Sequence, residues 1–421
     1  SLYEGTTLLG TTTSNAEGIW SLQLATPLVN GTHVLTASVK DAVGNVSTSD
    51  SFNLVVDTLA PATPGVPAIT VNPDGSGEEP LTSGGSTRDT TPTLSGTGTE
   101  GDIVTIYDGT TKIGETTIPP GGNWTWTPPA GLPNGTYDLS LTVTNKDGAG
   151  NESAPSQPVS ITIDTDAPDK PDVPVVTDNV SDITGPVDNN GATNDTRPVL
   201  SGTGTPDDVI SIYDQTADGN VLVGEVVVDL NGNWTWRSET PLAEGSHSFT
   251  VIATDAAGNA SVVSDTITVT VDSQLPEIPL ISSVDGIAAG GSTNDTTPTV
   301  TGTGENGTTV ILYSNGVEVG RGLVSNGNWS ITTAALKDGA TTLTVAAVDA
   351  AGNVSSAGSD FTFTIDTVPP GNPQLLEISD STLANGTLYV NSGTPTLSGT
   401  GEPLSTVTVS VDGNPLGEVQ V

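Results

Sequence analysis

One short pattern returns four times along the chain. Val56-Asp57-Thr58-Leu59-Ala60-Pro61 is followed by Ile163-Asp164-Thr165-Asp166-Ala167-Pro168, by Val271-Asp272-Ser273-Gln274-Leu275-Pro276 and by Ile365-Asp366-Thr367-Val368-Pro369-Pro370. The four aspartates are spaced by 107, 108 and 94 residues. Self-similarity at one period means an array of like units, each folded around its own core. Function in such an array resides in its length, its joints and its ends.

Within each period the chain alternates. Val159, Ile161 and Ile163 are interleaved with Ser160 and Thr162, and Phe361, Phe363 and Ile365 with Thr362 and Thr364. A period of two puts one face in a core and the other in water, and β-branched Thr on the wet face favours extended backbone. The 50 Gly and 30 Pro fall between the alternating runs, as turn residues do. The fold class expected is all-β: tandem seven-stranded immunoglobulin-like sandwiches, a fold of about 100 residues.

Residues 165–272 serve as the type unit. After a strand A behind the Pro-rich linker, strand B is expected over Pro198–Thr203 and C over Val209–Tyr213. Strand D is expected over Val221–Val228, E over Trp234–Trp236, F over His247–Ala253 and G over Ile267–Asp272. Complete units are expected over 58–164, 165–272 and 273–366. Partial ones are expected over 1–57 (strands C to G) and 367–421 (strands A to D), as in a segment of a longer array.

Nine Lys and Arg against 49 Asp and Glu give a net charge of −40. This field repels nucleic acid and anionic membranes and leaves two partner classes, cations and receptors that tolerate negative charge. With no Cys there is no disulfide, thiolate metal site or thiol nucleophile. No run of about 18 apolar residues marks a membrane span.

Every unit has an Asp-x-x-Gly-Asn loop between strands F and G: Asp41–Asn45, Asp147–Asn151, Asp255–Asn259 and Asp349–Asn353. Tracing a seven-strand sandwich puts the B–C, D–E and F–G loops at the upstream pole, where the preceding linker Asp arrives. Asp57 is therefore expected near Asp147 and Asn151, Asp164 near Asp255 and Asn259, and Asp272 near Asp349 and Asn353. The B–C turn adds Asp102 (or Glu100) at the first joint, Asp207 or Asp208 at the second and Glu305 at the third. Clustered oxygen donors on loops suit Ca²⁺, which takes 6–8 of them, while the lack of His and Cys argues against zinc. The alternative is turn chemistry, in which Asp and Asn cap their own backbone and Gly supplies a positive φ. A second acidic position recurs in the A–B loop, at Asp89, Asp195 and Asp295, with Ser392 in the last unit. It is open to the same two readings.

Trp20, Trp124, Trp234 and Trp329 recur, with Leu22, Trp126, Trp236 and Ile331 two positions on. The shared parity and constant apolarity point to a structural face rather than a sugar platform. His33 and His247 occupy a strand-F position that holds Tyr137 and Thr341 elsewhere, so no common general base sits there. Neither a catalytic site nor an organic cofactor site is expected. Asn-x-Ser/Thr triplets such as Asn134-Gly-Thr136 follow from the turn composition.

Taken in order, Asn294-Asp295-Thr-Thr-Pro298, Gly302-Thr-Gly-Glu305, Asn326-Gly-Asn-Trp329, Asp349-Ala-Ala-Gly-Asn353 and Ile365-Asp366-Thr367 resemble the bacterial Ig-like repeats of giant type I-secreted, non-fimbrial surface adhesins. The resemblance covers essentially the whole chain. It implies an extracellular, cell-surface stalk that supports adhesion, with Ca²⁺ at domain junctions held by Asp57, Asp164, Asp272 and the matching F–G residues. Its partners would be neighbouring repeats, with any host or matrix ligand bound outside this segment. A departure is Asn145-Lys146, where Lys146 beside Asp147 would weaken the first joint. A rival expectation makes the repeats bind glycan or matrix protein directly, with the divergent stretch Asp178–Asn190 as the place for it. In a third, the array is a passive scaffold for an enzyme elsewhere in the polypeptide.

Overall fold

The alternation of apolar and Thr-rich positions is realised as paired antiparallel sheets. A computed structural model describes residues 1–144, 149–181, 183–216 and 219–421. The expected pairing of Asp57 with Asp147, and Lys146 beside it, lie outside the described residues. No helix among the described residues is long and apolar enough to cross a membrane.

In the unit 165–272, strand A (Val175–Asp178) pairs with B (Val199–Thr203), which pairs with E (Asn233–Arg237). The second sheet holds G (Ile267–Val271), F (Gly245–Thr254), C (Val209–Thr216) and a C′ strand (Gly219–Val227). Two short segments complete the sheets. Gly185–Val187 pairs with A in the first and Gly191–Thr193 runs parallel to G in the second, so that the stretch ahead of B contributes a strand to each sheet. Unit 58–164 repeats the arrangement, and unit 273–366 does so with a three-stranded first sheet that has, among the described residues, no segment equivalent to Gly185–Val187.

The strand expected as D is present but belongs to the second sheet. It pairs with C, with Val209 opposite Val227 and Thr216 opposite Gly219, and so extends the C–F–G sheet. The cause is the turn. In unit 273–366 the two strands are joined by Asn315-Gly316, both left-handed at φ 49° and 80°. Two such residues in succession close a tight hairpin and force adjacent pairing.

The core lies between the sheets. In unit 165–272 it contains Val176, Leu200, Ile210, Ile212, Trp234, Phe249, Val251 and Val269, all buried. Trp234 lies across strand B where Gly202 leaves room: a Cβ on Gly202 would stand 2.7 Å from the ring. Trp124 meets Gly96 and Trp329 meets Gly302 in the same way, which explains the recurrent Gly-Thr-Gly of strand B. Trp236 covers Gly224 of C′, opposite the register shift at Ile212/Tyr213. The structural-face reading therefore holds in the three central units. Trp20, in the first unit, stands 51% exposed.

Candidate functional site: the joints between units

The B–C and C′–E loops meet at one pole. Gly98 donates to the Gly122 carbonyl, and Gly204 to that of Gly232. The F–G loop joins them there, because Asp255 and Asp207 are close enough to act on the charge of Asp208. The preceding unit's linker arrives at this pole.

Three equivalent bonds cross the joints. Asn151 Nδ2 donates to the Asp57 carbonyl at 2.9 Å, Asn259 Nδ2 to that of Asp164 at 2.9 Å and Asn353 Nδ2 to that of Asp272 at 2.8 Å. The expected partners are thus together, but through the main chain of the linker Asp. Its carboxylate turns inward: Asp57 Oδ1 accepts the Leu59 amide, Asp164 Oδ1 that of Asp166 and Asp272 Oδ1 that of Gln274. Two further bonds add to this. The Arg88 amide donates to the Ala257 carbonyl at 3.2 Å, and the Asn194 amide to the Ala351 carbonyl at 3.1 Å. A–B segments therefore hold the F–G loop of the next unit.

The loop Asp is an internal cap. Asp255 Oδ1 accepts the Ala257 and Asn259 amides, while Oδ2 accepts Asn259 Nδ2. Asp349 does the same with Ala351 and Asn353, and Asp41 with Val43 and Asn45. At Asp41 the Asn45 side chain, then its amide, hold the carboxyl below the ordinary range. This invariance explains why the first loop position is always Asp: only a carboxylate serves three donors so close together.

Of the B–C acids, Glu305 accepts the amide of Glu277 in its own linker, at 2.8 Å. Asp102 and Asp208 are buried, and Asp207 takes a left-handed φ of 71°. Burial, then the charges of Asp255 and Asp207, push the Asp208 carboxyl above its usual range. A buried carboxyl facing like charges is where a cation would bring most relief. The donor set is all oxygen, which suits Ca²⁺. Among the described residues, however, no three His, Asp or Glu side chains converge to hold an ion by themselves. An ion at the second joint would draw on Asp207, Asp208 and Asp255 together with main-chain or amide oxygens. In the A–B loop, Asp195 is bonded to the Asn179 and Arg197 amides and lies 3.5 Å from Arg237, the pattern of a capped turn.

Sequence reasoning missed two recurring devices. The residue after each linker Asp is tied to its own E–F loop. Thr58 donates amide and hydroxyl to Asn30, Thr165 to Asn134 and Ser273 to Glu244, and the Thr367 hydroxyl donates to Asp338. The constant Asp-Thr/Ser dipeptide was the available signal. The second device is a serine ladder after the F–G loop. Ser261 Oγ accepts the Ala253 amide at 3.0 Å and Ser264 Oγ that of Val251 at 2.9 Å. Ser153 and Ser156 do likewise for Val143 and Leu141. Here strand F has left G, and hydroxyls replace the missing ladder partner.

The histidines form structural corners. His247 Nε2 meets the Ala243 carbonyl at 2.9 Å and Nδ1 meets Asp214 Oδ2 at 2.6 Å. His33 bridges Val29 and Glu4 in the same way. Tyr137 OH donates to the Pro133 carbonyl, also four residues upstream, at 2.8 Å. This is the corner by which sandwiches fix the start of strand F.

Comparison with known proteins follows these repeats. The family described as "Bacterial Ig-like domain" matches residues 1–58, 66–165, 170–273 and 277–367. Exoglucanase B of Cellulomonas fimi is 29% identical over 272 residues, which is 64% of this chain and 22% of that protein. The chain therefore spans under a quarter of the length of that relative. Two solved structures resemble it at a TM-score of 0.24. One, from work on host cell surface retention of a 1.5-MDa bacterial ice-binding adhesin, is 23% identical over 65% of this chain and 89% of its own. The other, a tetra-tandem repeat in the extending region of a large adhesion protein, is 21% identical over 84% of this chain and 87% of its own. With four matched segments that together cover most of the sequence, the chain belongs to the bacterial Ig-like domain family.

Proposed function

We propose that this chain is a structural spacer: an extended run of Ig-like units in a large bacterial cell-surface adhesin, stiffened by Ca²⁺ at its joints. The observation that carries the spacer reading is the recurrence of one inter-unit bond, from the F–G Asn to the linker Asp carbonyl, at three successive joints. A part selected for a ligand would vary a loop, whereas this chain repeats its connections. The buried Asp208 beside Asp255 and Asp207 supports a cation at the second joint. Ca²⁺ there would turn mutual repulsion into attraction between loops that also grip the linker. Extracellular Ca²⁺ modules bind at about 10⁻⁴–10⁻³ M, so a joint held by the ion would be loose before export and set outside. Adhesion itself would rest with regions beyond this segment.

Direct recognition of sugars through the repeated Trp is disfavoured, because Trp124, Trp234 and Trp329 are buried against glycines of strand B. The likeness to part of an exoglucanase favours a second setting for the same spacer, as a scaffold beside an enzyme in a longer polypeptide. The test of the shared reading is the stiffness of the array with and without Ca²⁺. A chain flexible in both conditions would rule out a stiff stalk, and one equally stiff in both would rule out the ion.

A further inference from the structure

The second and third joints share their hydrogen bonds but differ at one glycine. Gly258 and Gly352 hold equivalent places in successive F–G loops, both left-handed at φ 89° and 93°. Nothing lies within 4 Å of where a Cβ on Gly258 would stand. Over Gly352 sits Ile183 of the preceding unit, with its Cβ 3.2 Å and its Cγ1 3.3 Å from the corresponding point.

Ile183 belongs to the divergent loop between Val175–Asp178 and Gly185–Val187, whose register pairs Asp178 with Gly185. That loop is anchored from below. Asp178, 3% exposed, accepts the Val180 amide and the Thr193 hydroxyl, and Asp195, 2% exposed, accepts the Asn179 amide. Beside the contact, the Asn194 amide bonds the Ala351 carbonyl, one residue before Gly352. The hairpin therefore presents an isoleucine on a fixed base to a loop already held on its other side. In unit 58–164 the same tip reads Asn72-Pro73-Asp74-Gly75-Ser76-Gly77-Glu78, with no apolar side chain beyond the proline.

We propose that Ile183 is an interaction surface for the next unit's F–G loop, docked on Gly352 as a brace that fixes the third joint without a cation. Glycine is required at the receiving point twice over, by its φ and by the isoleucine above it. The stretch most unlike its counterparts thus serves a neighbouring unit. Stiffness along the array becomes uneven, with the third joint locked and the second left to its polar contacts. This inference goes beyond the spacer reading and fails independently of it.

The chain lacks Cys, so spin-label pairs can be placed uniquely in residues 1–421. Thr235→Cys with Ser330→Cys spans the third joint, and Thr125→Cys with Thr235→Cys the second; all three positions are exposed on strand E. Distance distributions by pulsed electron paramagnetic resonance, in chelator, should be narrower across the third joint than across the second. Ile183→Ser should raise the off-axis population at the third joint roughly three- to five-fold, the factor set by about half the burial of an isoleucine. It should leave the second joint unchanged, and Ile183→Val should keep the narrow distribution. A third joint no narrower than the second, or one indifferent to Ile183→Ser, overturns the brace. Whether added Ca²⁺ narrows the second joint is read from the same samples and bears only on the ion.

Discussion

Gly202→Ala would push a methyl group into the Trp234 ring, 2.7 Å away. Overpacking of this kind costs about 1–3 kcal/mol, and the isolated unit 165–272 should show it as a lower urea midpoint with an unchanged slope. His247 supplies a second prediction at this scale. Its bond to Asp214, with help from the Ala243 carbonyl and against burial, raises its pKa above the ordinary value of 6.5. A histidine bound more tightly as the cation in the folded state stabilises fully below its unfolded pKa and loses that contribution as pH rises through the folded one. Unit 165–272 should therefore be more stable near pH 5.5 than near pH 8.5. His247→Tyr, which imitates the corner of Tyr137, should flatten that dependence. A wild-type stability that rises with pH across this window would contradict the assignment.

At the scale of elements, the strands were legible because alternation and turn residues agree. Val209–Thr216 and Gly245–Thr254 contain the runs expected for C and F. The sheet that takes the fourth strand was left unassigned, although Asn315-Gly316 carried the signal for a hairpin with C. The second-sheet strand ahead of B left no pattern, because Gly191–Thr193 is too short for periodicity to register. At the joints, the partners Asp164 and Asn259 follow from topology alone. Which atom of Asp164 is used does not, since a carboxylate and a carbonyl are equally present in the sequence. The serine ladder is the element most open to test. Ser261→Ala removes the acceptor of the buried Ala253 amide, at a cost of about 1–3 kcal/mol for an unpaired group. It should also speed hydrogen exchange at Ala253 more than at residues of strand B.

For the whole molecule, the question is what holds each unit to the next. One hydrogen bond recurs at three joints, whereas the proposed apolar brace belongs to the third joint and the proposed cation to the second, so each can be removed separately. Asn259→Ala takes away the bond to the Asp164 carbonyl and the one to Asp255 within its own loop, each worth about 1 kcal/mol; it should broaden the second joint and lower the denaturation midpoint of unit 165–272 slightly, while unit 58–164 keeps its own. Asp164→Ala retains that carbonyl and removes only the carboxylate. Its effect should be small in chelator and large in Ca²⁺, where the carboxylate adds charge for an ion. Equal effects in both conditions would identify Asp164 as a turn residue alone. The decisive measurement is small-angle X-ray scattering from residues 58–366, three complete units, in about 10⁻³ M Ca²⁺ and then in excess chelator. A stiff, extended particle is expected with Ca²⁺ and a shorter, bent ensemble without it, with the bending confined to the second joint. Superimposable profiles in the two conditions would contradict the claim that an ion stiffens this array.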